Sequence, residues 1–242
     1  MAYDWHWRVF LEPAPGHEHY YDWVLSGLKI TLSLGLSAWV IASVLGLMLG
    51  VMRTLPNKWI AGLAAAYVEL FRNIPLLVQL FIWYFVGPEL LPFGDAVKKI
   101  DPVAQQYLAA TLCLGTYTAA RICEQVRAGI LALPSGQRLA GQALGMTLAQ
   151  TYRYVLLPMA LRIIVPPMTS EFLSIFKNSA VASTVGLLEL AAQGRQLVDY
   201  TSRPYESFIA ITLMYILVNV VVMLGMRWVE ARTRVPGYIG PH

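Results

Sequence analysis

Charge is what this sequence has least of. Only 13% of its residues are Asp, Glu, Lys or Arg, against about 25% in an average soluble domain, while 57% belong to the hydrophobic set. So small a charge content excludes an ordinary water-solvated surface. Histidine and cysteine are also scarce. The four histidines, His6, His17, His19 and His242, fall in the terminal regions, and the two cysteines, Cys113 and Cys123, share one apolar segment. Neither set has a metal-ligand spacing, so the cysteines read as buried thiols and the histidines as solvated imidazoles. The chain also lacks a Gly-x-x-x-x-Gly-Lys-Ser/Thr run to cradle nucleotide phosphates, and it offers no nucleophile with an orienting base. Catalysis therefore has no positive support, and no cofactor is expected in the chain itself. Residues 1–21 carry Asp4, Glu12 and Glu18 with Pro13, Pro15 and Gly16, and they lack the basic start and apolar stretch of a cleaved leader.

What is present is long apolar runs. In residues 23–52 the only charge is Lys29, and as a helix that run is about 45 Å long, more than the roughly 30 Å of a hydrocarbon core. Five segments read as membrane spans: 23–52, 59–87, 103–121, 159–192 and 205–229. The fourth contains Pro166, Pro167, Glu171 and the polar run Lys177-Asn178-Ser179, which argues against a continuous helix facing lipid. Such a segment belongs inside protein or beside a cavity, where its freed backbone groups find partners.

Lys and Arg are retained on the cytoplasmic side. Arg53 and Lys58 in the first connection, Arg127, Arg138 and Arg153 in the third, and Arg232 and Arg234 in the tail place those regions inside. The opposite set is poorer in net basic charge. Residues 1–22 are then an outside segment, 23–230 one transmembrane domain, and 231–242 an inside tail.

The third connection, 122–158, is too long for a turn and too apolar for a linker, and connections of that length usually have a function. Leu139, Ala143 and Leu144 recur at helical spacing until Gly145 ends the pattern, and Thr147 is an acceptable N-cap for a second short helix reaching Pro158. A helix–glycine–helix element on the inner face suits docking; the alternative is an amphipathic helix lying in the membrane interface.

Ala140, Gly145, Val155, Leu157 and Pro158 have the spacing of the cytoplasmic signature of permease subunits of binding-protein-dependent ABC importers. Leu139 stands where that signature has Glu, and Gly141 replaces its second Ala. Further stretches resemble the polar amino acid branch of this family: Glu69-Leu-Phe-Arg72-Asn73-Ile-Pro75-Leu-Leu-Val-Gln79, Glu124-Gln-Val-Arg127, Leu133-Pro-Ser-Gly136-Gln137, and Glu171-Phe-Leu-Ser-Ile-Phe-Lys177-Asn178-Ser179. Within the branch the chain is most similar to permeases for glutamate and aspartate, notably in 67–73, 120–127 and 165–171. The resemblance covers about residues 23–230. It implies an all-α membrane protein of the type I ABC importer permease fold, set in the bacterial inner (cytoplasmic) membrane. It also implies a second permease subunit, two ATPase subunits that bind ATP-Mg, and a periplasmic amino-acid-binding protein as partners. The element at Leu139, Ala140, Gly141 and Gly145 would be the coupling helix that enters a groove on the ATPase.

A charge at membrane depth costs at least a few kcal/mol unless it is paired or wetted, so the polar residues of the spans are the candidate substrate site. Arg72 lies mid-span before Pro75, where its guanidinium either holds a substrate carboxylate in a fork or pairs with Glu69. Glu171 and Asn178, seven apart, project from one helix face. A neutral amide at Asn178 removes a repulsion against an acidic substrate, or it makes an interhelical hydrogen bond; Ser179 adds a donor. Gln79 follows Pro75 by one turn, and Lys177 either faces the pocket or pairs with Glu171. Glu124 and Arg127 are expected to pair with each other. Two other readings compete with an importer subunit. An ion-gradient-driven secondary transporter predicts broken helices and polar midplane residues equally well but leaves 122–158 unexplained, and a membrane enzyme needs a catalytic constellation the sequence does not show.

Overall fold

The computed structural model describes residues 3–90, 92 and 94–233. The expected tail beyond 233, with Arg234 and His242, lies outside the described residues. Helix α1 (Tyr20–Met52) opens where the Asp22 carboxylate accepts the His19 N–H at 3.0 Å, and its length of about 50 Å follows from an apolar run with no helix breaker. Helix α2 (Lys58–Asn73) starts on Asn57, whose side chain accepts from the Trp59 and Ile60 amides. It stops because Pro75 disfavours a helical residue before it: Ile74 is extended, at φ −98° and ψ 130°. Helix α3 (Leu76–Phe81) then begins a new direction. A π-turn (Ile82–Val86) joins it to α4 (Gly87–Leu90), and the two limbs of this second segment meet at 105°. The expected span 59–87 is therefore a bent pair.

After the short α5 (Gly94–Val97) comes α6 (Pro102–Leu131), capped by the Asp101 carboxylate on the Val103 and Ala104 amides and started by proline in its first turn. It runs ten residues past the expected end at 121, because Ile122, Val126 and Ile130 keep a fourfold apolar repeat into the region read as connection. Helices α7 (Ser135–Ala143) and α8 (Leu148–Thr151) follow, and a second π-turn (Tyr152–Leu156) leads into α9 (Leu157–Asn178). Both π-turns end two residues before a proline, Pro88 and Pro158. Proline has no N–H to give and its ring crowds the carbonyl four residues back, so widening the preceding turn relieves the clash.

Helix α9 runs unbroken through Pro166 and Pro167. It is packed against α6, α11 and α1, and such neighbours tolerate the freed carbonyls. The irregularity comes later, as a 3-10 turn (Ser179–Val185) ended by Gly186 at φ +93°, before α10 (Leu190–Thr201) and α11 (Pro204–Thr233).

The core is the contact of α1, α6 and α9, with Leu34, Ala38, Ile122, Val126, Ile164 and Ile175 buried at its centre. Small residues of α1 at Gly35, Ala38, Ala42, Gly46 and Gly50 form a stripe that brings the backbones close. Among the described residues three helical segments, 20–52, 148–185 and 204–232, are long and apolar enough to cross a membrane, and the bent pair of α2 with α3 and α4 makes a fourth. Helix α6 is 30 residues long, and its charges, Arg121, Glu124 and Arg127, are each paired within the protein.

Candidate functional site

The bend between α2 and α3 is held by one side chain. Gln79, buried in the first turns of α3, donates through Nε2 to the Phe71 carbonyl at 2.7 Å and to the Ile74 carbonyl at 2.8 Å. These carbonyls lose their helical donors at the break, so the amide replaces what Pro75 removes. Arg72 lies in the last turn of α2 with its side chain exposed. Its neighbour Glu69 accepts from Asn73 Nδ2 at 3.3 Å, and among the described residues no ion pair joins Glu69 to Arg72. Behind the bend, Asn178 is half-buried and lines a small apolar gap with Leu76, Leu80 and Leu114. Lys177 is exposed in the last turn of α9, where a cation suits the helix C-terminus. Ser179 is fully buried and donates to the Phe176 carbonyl at 2.7 Å, so its hydroxyl is engaged locally.

Glu171 lies two turns below Asn178, about 10 Å along α9. Its carboxylate accepts from Arg121 Nε at 2.7 Å and from Gln125 Nε2 at 3.0 Å, which ties α9 to α6. Lys177 is not its partner. Arg121, at the expected end of the third span, lies ten residues inside α6, which places the ion pair within the helix bundle. The expected pair of Glu124 with Arg127 is present at 3.1 Å, and Glu124 also pairs with Arg53 at the end of α1. The fourfold repeat after Arg121 is the signal that places Arg121, Glu124 and Arg127 on one helix.

Below this network stands the connection between α6 and α9. Gly145 has φ +77°, and the Met146 amide donates to the Gly141 carbonyl at 3.1 Å while the Gly145 amide donates to the Gln142 carbonyl at 3.0 Å. That is a Schellman ending for α7, and a left-handed residue is what it requires. Thr147 caps α8 with a reciprocal bond to Gln150. Gly141 faces inward: a Cβ there would come 3.0 Å from the Thr151 methyl, so glycine lets α7 seat on α8. Ala140 points outward, and Leu139 and Leu144 are 58% and 78% exposed, an apolar pair with no cover from the described residues. The base of the element is tied down by Tyr152, whose buried hydroxyl donates to the Thr54 carbonyl at 2.8 Å and lies 3.0 Å from Thr54 Oγ1.

This arrangement, a bundle with a broken second span and a short glycine-ended helix projecting between two spans, has counterparts. The family described as "Binding-protein-dependent transport system inner membrane component" matches residues 42–235. The chain belongs to this family. It is 53% identical, over 99% of both chains, to the glutamate/aspartate import permease protein GltJ of Escherichia coli (strain K12). It is 33% identical to the probable glutamine ABC transporter permease protein GlnM of Bacillus subtilis (strain 168), over 86% of this chain and 92% of that one. Among solved structures, an amino acid ABC transporter crystallised with histidines matches with a TM-score of 0.74 and 31% identity, covering 88% of this chain and 95% of that one. The chain is therefore a multi-pass inner membrane permease with the type I importer fold, a transport component that works in a complex with other subunits.

Proposed function

We propose that this chain is the transmembrane permease subunit of an ATP-driven, binding-protein-dependent importer of glutamate and aspartate. The observation that carries the reading is the full-length 53% identity to a glutamate/aspartate import permease. The exposed Leu139 and Leu144 beside the rigid Gly145 turn support a docking role for α7. A second permease subunit completes the path, two ATPase subunits bind ATP-Mg and grip the α7 element, and a periplasmic binding protein delivers substrate. No ATPase site belongs to this chain. The Lys and Arg distribution supports an outside N-terminus and an inside C-terminus, with 1–22 periplasmic, 23–230 the permease domain and 231–242 cytoplasmic.

In this reading closure of the ATPases pushes α7. Because Gly141 seats α7 on Thr151 and Tyr152 is bonded to Thr54, the push reaches the junction of α1 and α2 as well as α9. Arg72 and Asn178 read the substrate from either side of the bend, while Gln79 fixes the bend and Glu171 and Ser179 fix α9 behind it. No observation favours the ion-gradient-driven alternative. Affinity capture of this chain in mild detergent is expected to bring down a second permease and an ATPase; capture of the chain without an ATPase would count against the reading.

A further inference from the structure

Near the start of the chain, aromatic residues occupy alternate positions: Tyr3, Trp5 and Trp7. The Trp5 and Trp7 rings stack with centroids 5.8 Å apart, and Tyr3 meets Trp5 edge-on at 5.1 Å. Tyr205, in the first turn of α11, closes the group at 4.6 Å from Tyr3. The cluster is compact yet open on one side, for Trp5, Trp7 and Tyr205 are 52%, 47% and 57% exposed.

The segment is latched to α11. Glu206 is fully buried, and its carboxylate accepts the Tyr3 hydroxyl at 2.5 Å and the His6 amide at 2.7 Å. The carboxylate pushes the Tyr3 phenol above its ordinary range, so the donor keeps its proton. Arg203 adds a bond from Nη1 to the Asp4 carbonyl at 2.7 Å. A buried carboxylate is costly unless its oxygens are bonded, and the first turn of a helix favours the negative charge. Glu206 has both supports.

The open side of the cluster continues the outward face of α11, where Phe208, Ile209, Leu213 and Ile216 are exposed along a membrane span. At the end of a span the surroundings change from acyl chains to headgroups. Trp and Tyr are enriched in that layer because an apolar ring and a polar N–H or O–H meet both media at once.

We propose that residues 3–11 are an interfacial anchor: the plate of Tyr3, Trp5, Trp7 and Tyr205 lies in the lipid headgroup layer at the N-terminal end of α11, and Glu206 holds it there. The leaflet is the outer one under the orientation given above, and only that point rests on the proposed function.

The test uses the full permease complex in vesicles of phosphatidylethanolamine and phosphatidylglycerol, with a nitroxide label on Leu11→Cys and, as control, on Glu18→Cys. Cys113 and Cys123 are buried and leave the introduced thiol as the reactive one of this chain. Collision with a water-soluble nickel chelate is expected to be severalfold lower at 11 than at 18, and collision with oxygen higher. Equal chelate access at the two positions overturns the anchor. Protection at 11 from chelate and oxygen alike also overturns it, because that pattern marks a protein contact. Trp5→Ala/Trp7→Ala is expected to raise chelate access at 11 severalfold, and unchanged access would show that the rings do not anchor. Glu206→Gln should do the same, with Tyr3→Phe as the milder variant if the first does not fold; no change in the folded variant contradicts the latch. An impermeant reductant added outside sealed vesicles reads the leaflet separately, so a wrong orientation changes that result and leaves the depth result intact.

Discussion

Arg121 on α6 donates to the Glu171 carboxylate on α9 at 2.7 Å, and Glu171 is nearly buried while Arg121 stays partly open. The pair joins the two helices that flank the coupling element. Charges at membrane depth persist when paired, and here each partner accounts for the other. Removing one leaves the second uncompensated, at a cost reduced by the partial exposure of Arg121.

Glu171→Gln alone is therefore expected to lower the thermal midpoint of the detergent-solubilised complex by more than the double variant Arg121→Gln/Glu171→Gln does. A thermal melt of the three proteins reads this. Equal loss in single and double variants would show that the two charges do not depend on each other.

Tyr152→Phe removes one hydrogen bond at the base of the coupling element, worth about 1 kcal/mol. The expected result is severalfold less substrate moved per ATP hydrolysed, with hydrolysis itself retained. Parallel assays of uptake and phosphate release measure the ratio; an unchanged ratio would mean that the Thr54 tie plays no part in transmission.

Gly145→Val forces a β-branched side chain into the left-handed region, at a cost of about 1–2 kcal/mol, and should distort the end of α7. Less ATPase is expected to copurify with this variant, while Gly145→Asn, which tolerates the conformation, keeps it. Full recovery of ATPase with the valine variant would remove Gly145 from the docking account.

How much of this was legible in the sequence depended on the kind of signal. The apolar run of 23–52 and the Pro75 break were local, and they gave α1 and the end of α2 directly. Gly145 and Thr147 were local too, and both occupy the capping roles their residue types suggest. What escaped were tertiary partners. Gln79 and Ser179 read as candidate ligands because they are polar at membrane depth, and their bonds to backbone carbonyls nearby were not legible. The expected end of the third span at Arg121 fell short, because Ile122, Val126 and Ile130 continue the helix beyond it. The prolines of α9 pointed to a segment packed inside protein, and α9 packs against α6, α11 and α1.

For the substrate site, Arg72→Ala is expected to abolish glutamate and aspartate uptake while the complex still assembles and hydrolyses ATP. Asn178→Asp sets a second carboxylate against an acidic substrate and should weaken its uptake about tenfold or more, ~1.4 kcal/mol. Dose–response curves for radiolabelled substrate check both. Wild-type uptake by either variant would make that position structural.

The most direct test of the importer reading is uptake by the purified complex in liposomes, with ATP-Mg enclosed and substrate-loaded binding protein added opposite the ATPases. Accumulation of glutamate or aspartate that needs both ATP and the binding protein is the predicted result. Uptake by this chain without an ATPase, driven by a sodium or proton gradient, would contradict it.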